Sequence, residues 1–151
     1  MIAQADDALV IDGDLAAMAG LTEWVDGIAA RWGFSEKMQF AAKLCLEESV
    51  SNSIRHGYGG SGGQVRIRFE PAGTQAWVFT VEDDATPFNP LEQPELPAIS
   101  PDTLEIGGQG IRLMRSFATS LEYEPTPTGN RLRVGFARTE PEADAPRPAS
   151  L

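Results

Sequence analysis

The sequence contains one cysteine and one histidine. One cysteine forms no internal disulfide, and the pair is too small a set for the usual Cys/His structural zinc site. Any bound metal therefore has to be held by oxygen. No apolar run approaches the ~20 residues of a membrane-spanning helix, and the opening Met1-Ile2-Ala3-Gln4-Ala5-Asp6-Asp7 lacks the basic region of a secretory signal. A cytosolic protein is expected. Basic residues are scarce as well: 12 Lys and Arg against 22 Asp and Glu leave a formal charge of −10. That charge opposes both nucleic-acid phosphates and anionic membranes, so neither is expected as a partner, and a protein or a small ligand is.

At 151 residues the chain fits one domain with a real core. The readable elements span 8–137. Residues 138–151 are acidic and rich in proline and small side chains, a composition that predicts a disordered tail. No internal repeat is present.

Ala8 to Ile11 reads as a first strand, with Asp12 or Asp14 able to cap the helix after it. Leu15, Met18, Leu21, Val25 and Ile28 recur at helical spacing up to Trp32, where Gly33 stops them. Ser35 caps a second helix. Val65, Ile67 and Phe69 alternate with Arg66 and Arg68, a half-buried strand that turns at Pro71-Ala72-Gly73 into a partner strand from Trp77 to Val81. Ile111, Leu113, Met114 and Phe117 predict a short third helix. Leu121 to Glu124 and Leu132 to Phe136 read as two last strands around a turn at Pro127-Thr128-Gly129-Asn130.

The second helix departs from its own chemistry near its end. Ser49, Ser51, Asn52 and Ser53 are poor helix formers because their side chains compete for backbone hydrogen bonds, yet the spacing carries the helix on to Arg55 or His56. At ~100° per residue, Ala41, Leu44 and Cys45 share a face with Glu48, Asn52 and His56, opposite Leu46, Val50 and Ile54. A carboxylate, an amide and an imidazole thus line up on a stripe that begins apolar. The pattern fits a polar site, and taken alone it fits a solvated helix end equally well.

Two glycine-rich stretches flank this reading. Gly57-Tyr58-Gly59-Gly60-Ser61-Gly62-Gly63 contains no Gly-Lys-Ser/Thr, so it is not a P-loop, and a flexible link is the better account. Gly107-Gly108-Gln109-Gly110 precedes the third helix, where free N–H groups and the helix dipole favour an anion. It lacks the preceding strand and the third glycine of a Rossmann fingerprint. A hinge is the plain alternative. Between strand and glycines, the run from Pro87 to Ile106 carries five prolines and no periodicity, which suggests a lid, a binding loop or disorder.

Three separated segments, in order, resemble the boxes of the ATP-binding anti-sigma-factor serine kinases, the RsbW-like branch of the GHKL ATPase superfamily. Glu48-Ser49-Val50-Ser51-Asn52 with His56 is similar to the N-box, and Asp83-Asp84-Ala85-Thr86-Pro87-Phe88 to the D-x-G-x-P-F box, with Ala85 where the family usually has Gly. Gly107-Gly108-Gln109-Gly110 resembles the glycine box, and Gly129-Asn130 also matches. Any one box is common, whereas the ordered set is specific. The resemblance implies an α/β two-layer sandwich with helices on one face of a mixed, mostly antiparallel sheet. It implies ATP and Mg²⁺ as cofactors. Asn52 would ligate the metal, Glu48 would orient or deprotonate the attacking hydroxyl, and Asp83 would accept from the adenine amine. Gly108 and Gly110 would admit the phosphates, with His56, Ala85, Phe88 and Ile111 also at the nucleotide. The implied partners are a sigma factor and a STAS-type anti-sigma antagonist phosphorylated on Ser or Thr; members commonly form homodimers. The alternative is a catalytically silent, nucleotide-dependent module that sequesters its partner.

Overall fold

A computed structural model describes residues 2–5, 7–12, 18–57, 63–92 and 109–138. The link at 58–62, the greater part of the lid, Gly107, Gly108, Asp14, the side chain of His56 and the tail from 139 lie outside the described set. In chain order the elements are β1 (Ile2–Ala5), β2 (Ala8–Asp12), α1 (Met18–Trp32), α2 (Glu36–Asn52), β3 (Gln64–Ala72), β4 (Ala76–Asp83), α3 (Gln109–Phe117), β5 (Ser120–Pro125) and β6 (Asn130–Ala137). Among the described residues, no helix is long and apolar enough to cross a membrane.

The helix boundaries follow from local chemistry. Gly33 takes a left-handed φ of 71°, which lets Phe34 N–H reach back to the Ala29 carbonyl at 3.0 Å and close the end of α1. Ser35 then caps α2, its hydroxyl accepting Met38 N–H at 3.0 Å. Past Asn52 the helix widens into a π turn, Ser53–Gly57, and the Ser53 N–H is shared between the Ser49 and Val50 carbonyls. The helix therefore does run on through Arg55 and His56, with its last turn loosened.

The six strands make one sheet in the order β1-β2-β3-β4-β6-β5, and every pairing is antiparallel. This corrects the expectation of a mixed sheet. β4 and β5 run in the same direction, as a strand–helix–strand unit predicts, but β6 inserts between them and pairs with both. β2 and β3, joined through two helices, return antiparallel. β1 was not anticipated from the sequence.

Alternation along each strand sorts the two faces. Leu9, Ile67, Val81 and Leu132 form one cross-strand row, and Phe69, Phe79 and Val134 form another. All are buried with Leu21, Trp24, Val25 and Ile28 of α1 and Leu46 and Val50 of α2. Phe79 is central, with ring centroids 6.1 Å from Trp24 and 5.0 Å from Phe69. The opposite face carries Arg66, Glu82, Arg131 and Arg133, with Arg131 paired to Glu82 at 2.6 Å. Among the described residues, helices thus cover one face only, which is the expected two-layer sandwich.

Candidate functional site

The inward row of β4 reads Trp77, Phe79, Val81 and then Asp83, a carboxylate only 5% exposed. Its register partner in β6 is Asn130, also buried, at the end of the row Leu132, Val134, Phe136. Each strand therefore turns polar at the same end of the sheet. A slip of one residue would carry both groups to the charged face, so the hydrophobic pattern itself fixes their position.

Asp83 is held on three sides. Its Oδ2 accepts the Ser53 hydroxyl at 2.7 Å, and its Oδ1 accepts the Ala85 N–H at 3.0 Å and the Asn130 amide at 2.8 Å. The π turn at the end of α2 carries Ser53, so the widened turn and the site meet at this hydrogen bond. Buried carboxylates survive only when hydrogen-bonded, and these three donors meet that need.

Ser49, Asn52, Ser53, Val81, Asp83, Phe88, Pro90, Tyr123, Asn130 and Leu132 line a pocket between the helix layer and the sheet. Its volume is ≈ 40 Å³, space for roughly one to three waters. A ring-sized ligand needs its walls to part. Phe88, 37% exposed, and Pro90, both in the first residues of the predicted lid, form one wall, and the Phe88 N–H is tied to Asn130 Oδ1 at 2.9 Å.

The sequence-predicted residues fall into four groups. Asn52, Asp83 and Phe88 come together in the pocket, with Ala85 behind them through its bond to Asp83. Glu48, one turn before Asn52, lies outside the pocket lining and points its carboxylate at Gly110, in the first turn of α3. Ile111 packs into the hydrophobic core beside Met114. Gly108 and the His56 side chain lie outside the described residues.

Burial pushes the Glu48 carboxyl above its ordinary value, with nearby Arg55 opposing the shift and Glu47 adding to it. Burial, aided by the Glu48 charge, pushes the Cys45 thiol up to about 12, so it stays protonated and inert. Ser49 is buried and donates to the Cys45 carbonyl at 2.8 Å and to Met114 Sδ at 3.3 Å. Hydrogen bonds from Ser49 and Ser53 thus offset the poor helix propensity of this stretch.

Ser53, Tyr123 and Asn130 line the pocket; Gly129-Asn130 was among the matches of the resemblance, but sequence reasoning assigned none of the three a role. A signal existed for Asn130: extending the alternation of Leu132, Val134 and Phe136 back by one step places it on the inward face.

Asn52 fits a hard cation. Its side chain makes no hydrogen bond to another described residue, and among the described residues no group of three or more His, Cys, Asp or Glu could hold a metal. A magnesium ion that takes one protein oxygen and completes its shell with water and phosphate suits such a site.

The family model of the histidine kinase-like ATPase domain matches residues 11–136. The serine/threonine-protein kinase BtrW of Bordetella bronchiseptica is 30% identical over 113 residues, covering 74% of this chain and 79% of that protein. Among solved structures, the histidine kinase domain of a blue-light activated histidine kinase from Erythrobacter litoralis superposes with a TM-score of 0.50 at 17% identity. That match covers 80% of this chain and 59% of the other, and it is a likeness of fold. With its helices on one face of an antiparallel sheet and a buried carboxylate where the two layers meet, the chain belongs to the histidine kinase-like ATPase family.

Proposed function

We propose that this chain binds Mg-ATP between its helix layer and its sheet and transfers the γ-phosphoryl group to a serine or threonine of a STAS-type anti-sigma antagonist. When that antagonist is absent, it sequesters a sigma factor. The observation that carries the reading is the order along one helix: Glu48, half-buried and aimed at the first turn of α3, and one turn later Asn52 in a pocket beside Asp83.

The residues divide the work. Asp83 accepts a hydrogen bond from the exocyclic amine of adenine. The backbone N–H groups at the N-terminus of α3 receive phosphate oxygens. Asn52 supplies its amide oxygen to the metal, whose charge neutralises that of the phosphates when bound. Glu48 accepts the proton of the attacking hydroxyl, and burial of its carboxyl raises its affinity for that proton. The serine/threonine-protein kinase named above supports a hydroxyl acceptor.

The test is incubation with Mg-ATP and a STAS-domain antagonist, read by intact mass of the antagonist. A gain of one phosphate is expected. Tight Mg-ATP binding with no mass change would sink the kinase reading and leave a nucleotide-dependent sequestering module.

A further inference from the structure

Asn130 uses every hydrogen-bonding position of its side chain. Its Nδ2 donates to Asp83 Oδ1 at 2.8 Å and, on its other side, to the carbonyls of Ala85 at 3.4 Å and Thr86 at 3.2 Å. Its Oδ1 accepts the Phe88 N–H at 2.9 Å and the Tyr123 hydroxyl at 2.5 Å. Turning the amide over would set oxygen against a carboxylate and NH₂ against an N–H, so the partners fix its orientation. Asn130 has nothing left for a ligand. Any effect it has on one runs through Asp83.

A carboxylate offers about four acceptor positions, two on each oxygen. On Asp83, Oδ1 is filled by Ala85 N–H and Asn130, and Oδ2 is half-filled by Ser53. One position remains, on Oδ2. Building on the nucleotide reading above, we infer that Asn130 makes Asp83 a single-donor reader of purines and so selects adenine over guanine without touching the base.

The selection follows from the two base edges. Adenine presents one amine N–H beside a ring nitrogen that only accepts, and one free position satisfies it. Guanine presents a ring N–H and an amine N–H side by side, which a carboxylate grips when each oxygen has a position free. With Oδ1 filled, guanine leaves one N–H unpaired in a buried site, and discrimination against such a mismatch is steep.

The comparison of Asn130→Thr with Asn130→Val isolates this role, because the two replacements differ by one hydroxyl. Both lose the bonds to Phe88 and Tyr123, and only threonine keeps a donor for Asp83 Oδ1. Affinities of the full chain for Mg-ATP and Mg-GTP, measured by calorimetry, give the readout. The ATP-to-GTP ratio is expected to stay within a few-fold of wild type in Asn130→Thr and to fall by roughly 10-fold or more in Asn130→Val. Asn130→Ser and Asn130→Ala provide the same contrast should the larger pair fail to fold.

Ser53→Ala is the control. It opens a second position on Oδ2 and none on Oδ1, so its ratio should match wild type whatever its overall affinity. A wild-type ratio in Asn130→Val, or a collapsed ratio in Ser53→Ala, overturns the inference while nucleotide binding stands. A wild type that binds neither nucleotide overturns both.

Discussion

The carboxylate of Glu48 fills the space that a β-carbon on Gly110 would need. Where α2 meets the first turn of α3, this acid therefore packs against bare backbone. Gly110→Ala has only the far end of a flexible side chain to displace, so the fold should tolerate it. Alanine within a helix can add about 0.5–1 kcal/mol over glycine. Phosphoryl transfer should nevertheless fall at least ~10-fold, as Glu48 is moved from its place. A more stable protein that transfers as fast as wild type would show that the observed position of Glu48 does not matter.

Gly129 makes the opposite case. A β-carbon there would meet backbone, including Asp84 Cα at 2.6 Å and the Asp83 carbonyl, which cannot swing aside. Gly129→Ala should destabilise by about 1–3 kcal/mol and weaken Mg-ATP binding, because the displaced backbone carries Asp83. Thermal unfolding and calorimetry together check this.

Glu48→Gln separates binding from chemistry. Size and most hydrogen bonding are kept, so Mg-ATP affinity should change little, while transfer drops at least ~10²-fold. A rate within a few-fold of wild type would leave Glu48 an orienting role only.

The same carboxyl predicts a pH dependence of stability. Its value in the folded chain is raised above the ordinary 4.5 by burial, so over the interval between the two values the native state holds a proton that the unfolded chain has released. The stabilising contribution is full below the ordinary value and is lost as pH rises through the folded one. Stability of wild type relative to Glu48→Gln should therefore decline as pH rises from the ordinary carboxyl value of 4.5 through the raised folded one, measured by denaturant midpoints. A difference that grows over that range would contradict the burial account.

Asn52→Ala should abolish the response to magnesium and nucleotide together. Mg-ATP at ~100 times its dissociation constant stabilises wild type by ~2.7 kcal/mol, several degrees in a domain of this size. Loss of that shift in Asn52→Ala, with the ligand-free melting temperature unchanged, is the expected result. An undiminished shift would remove Asn52 from the site.

Much of this was legible in the sequence because the signals were local. Gly33 and Ser35 mark one helix end and the next start by chemistry that involves few neighbours. The alternation of Val65, Ile67 and Phe69 fixes a strand without knowledge of its partner. The Glu48–Asn52 spacing sets the two side chains one turn apart on α2 by helix geometry alone, and of the two Asn52 lines the pocket. The hidden part depends on pairing across the chain. That β6 sits between β4 and β5 is a property of the whole sheet, and the hydrogen bonds of Asn130 join β5 and β6 to the distant stretch from Asp83 to Phe88. Ser53 was hidden for another reason: an ideal helix turns ~100° per residue, and the π turn changes that angle just where Ser53 meets Asp83.

Glu48 also bears on how easily such a protein changes its trade over evolutionary time. Its charge is disfavoured where it stands, and its removal breaks no hydrogen bond among those that hold Asp83 in place. Asp83, by contrast, receives bonds from a helix end, a loop and a neighbouring strand, and its loss would strand all three donors. If the chain transfers phosphoryl groups as proposed above, one replacement at Glu48 silences transfer while the pocket stays intact. A descendant altered in that way would still respond to nucleotide and could persist as a regulator that captures its partner without modifying anything.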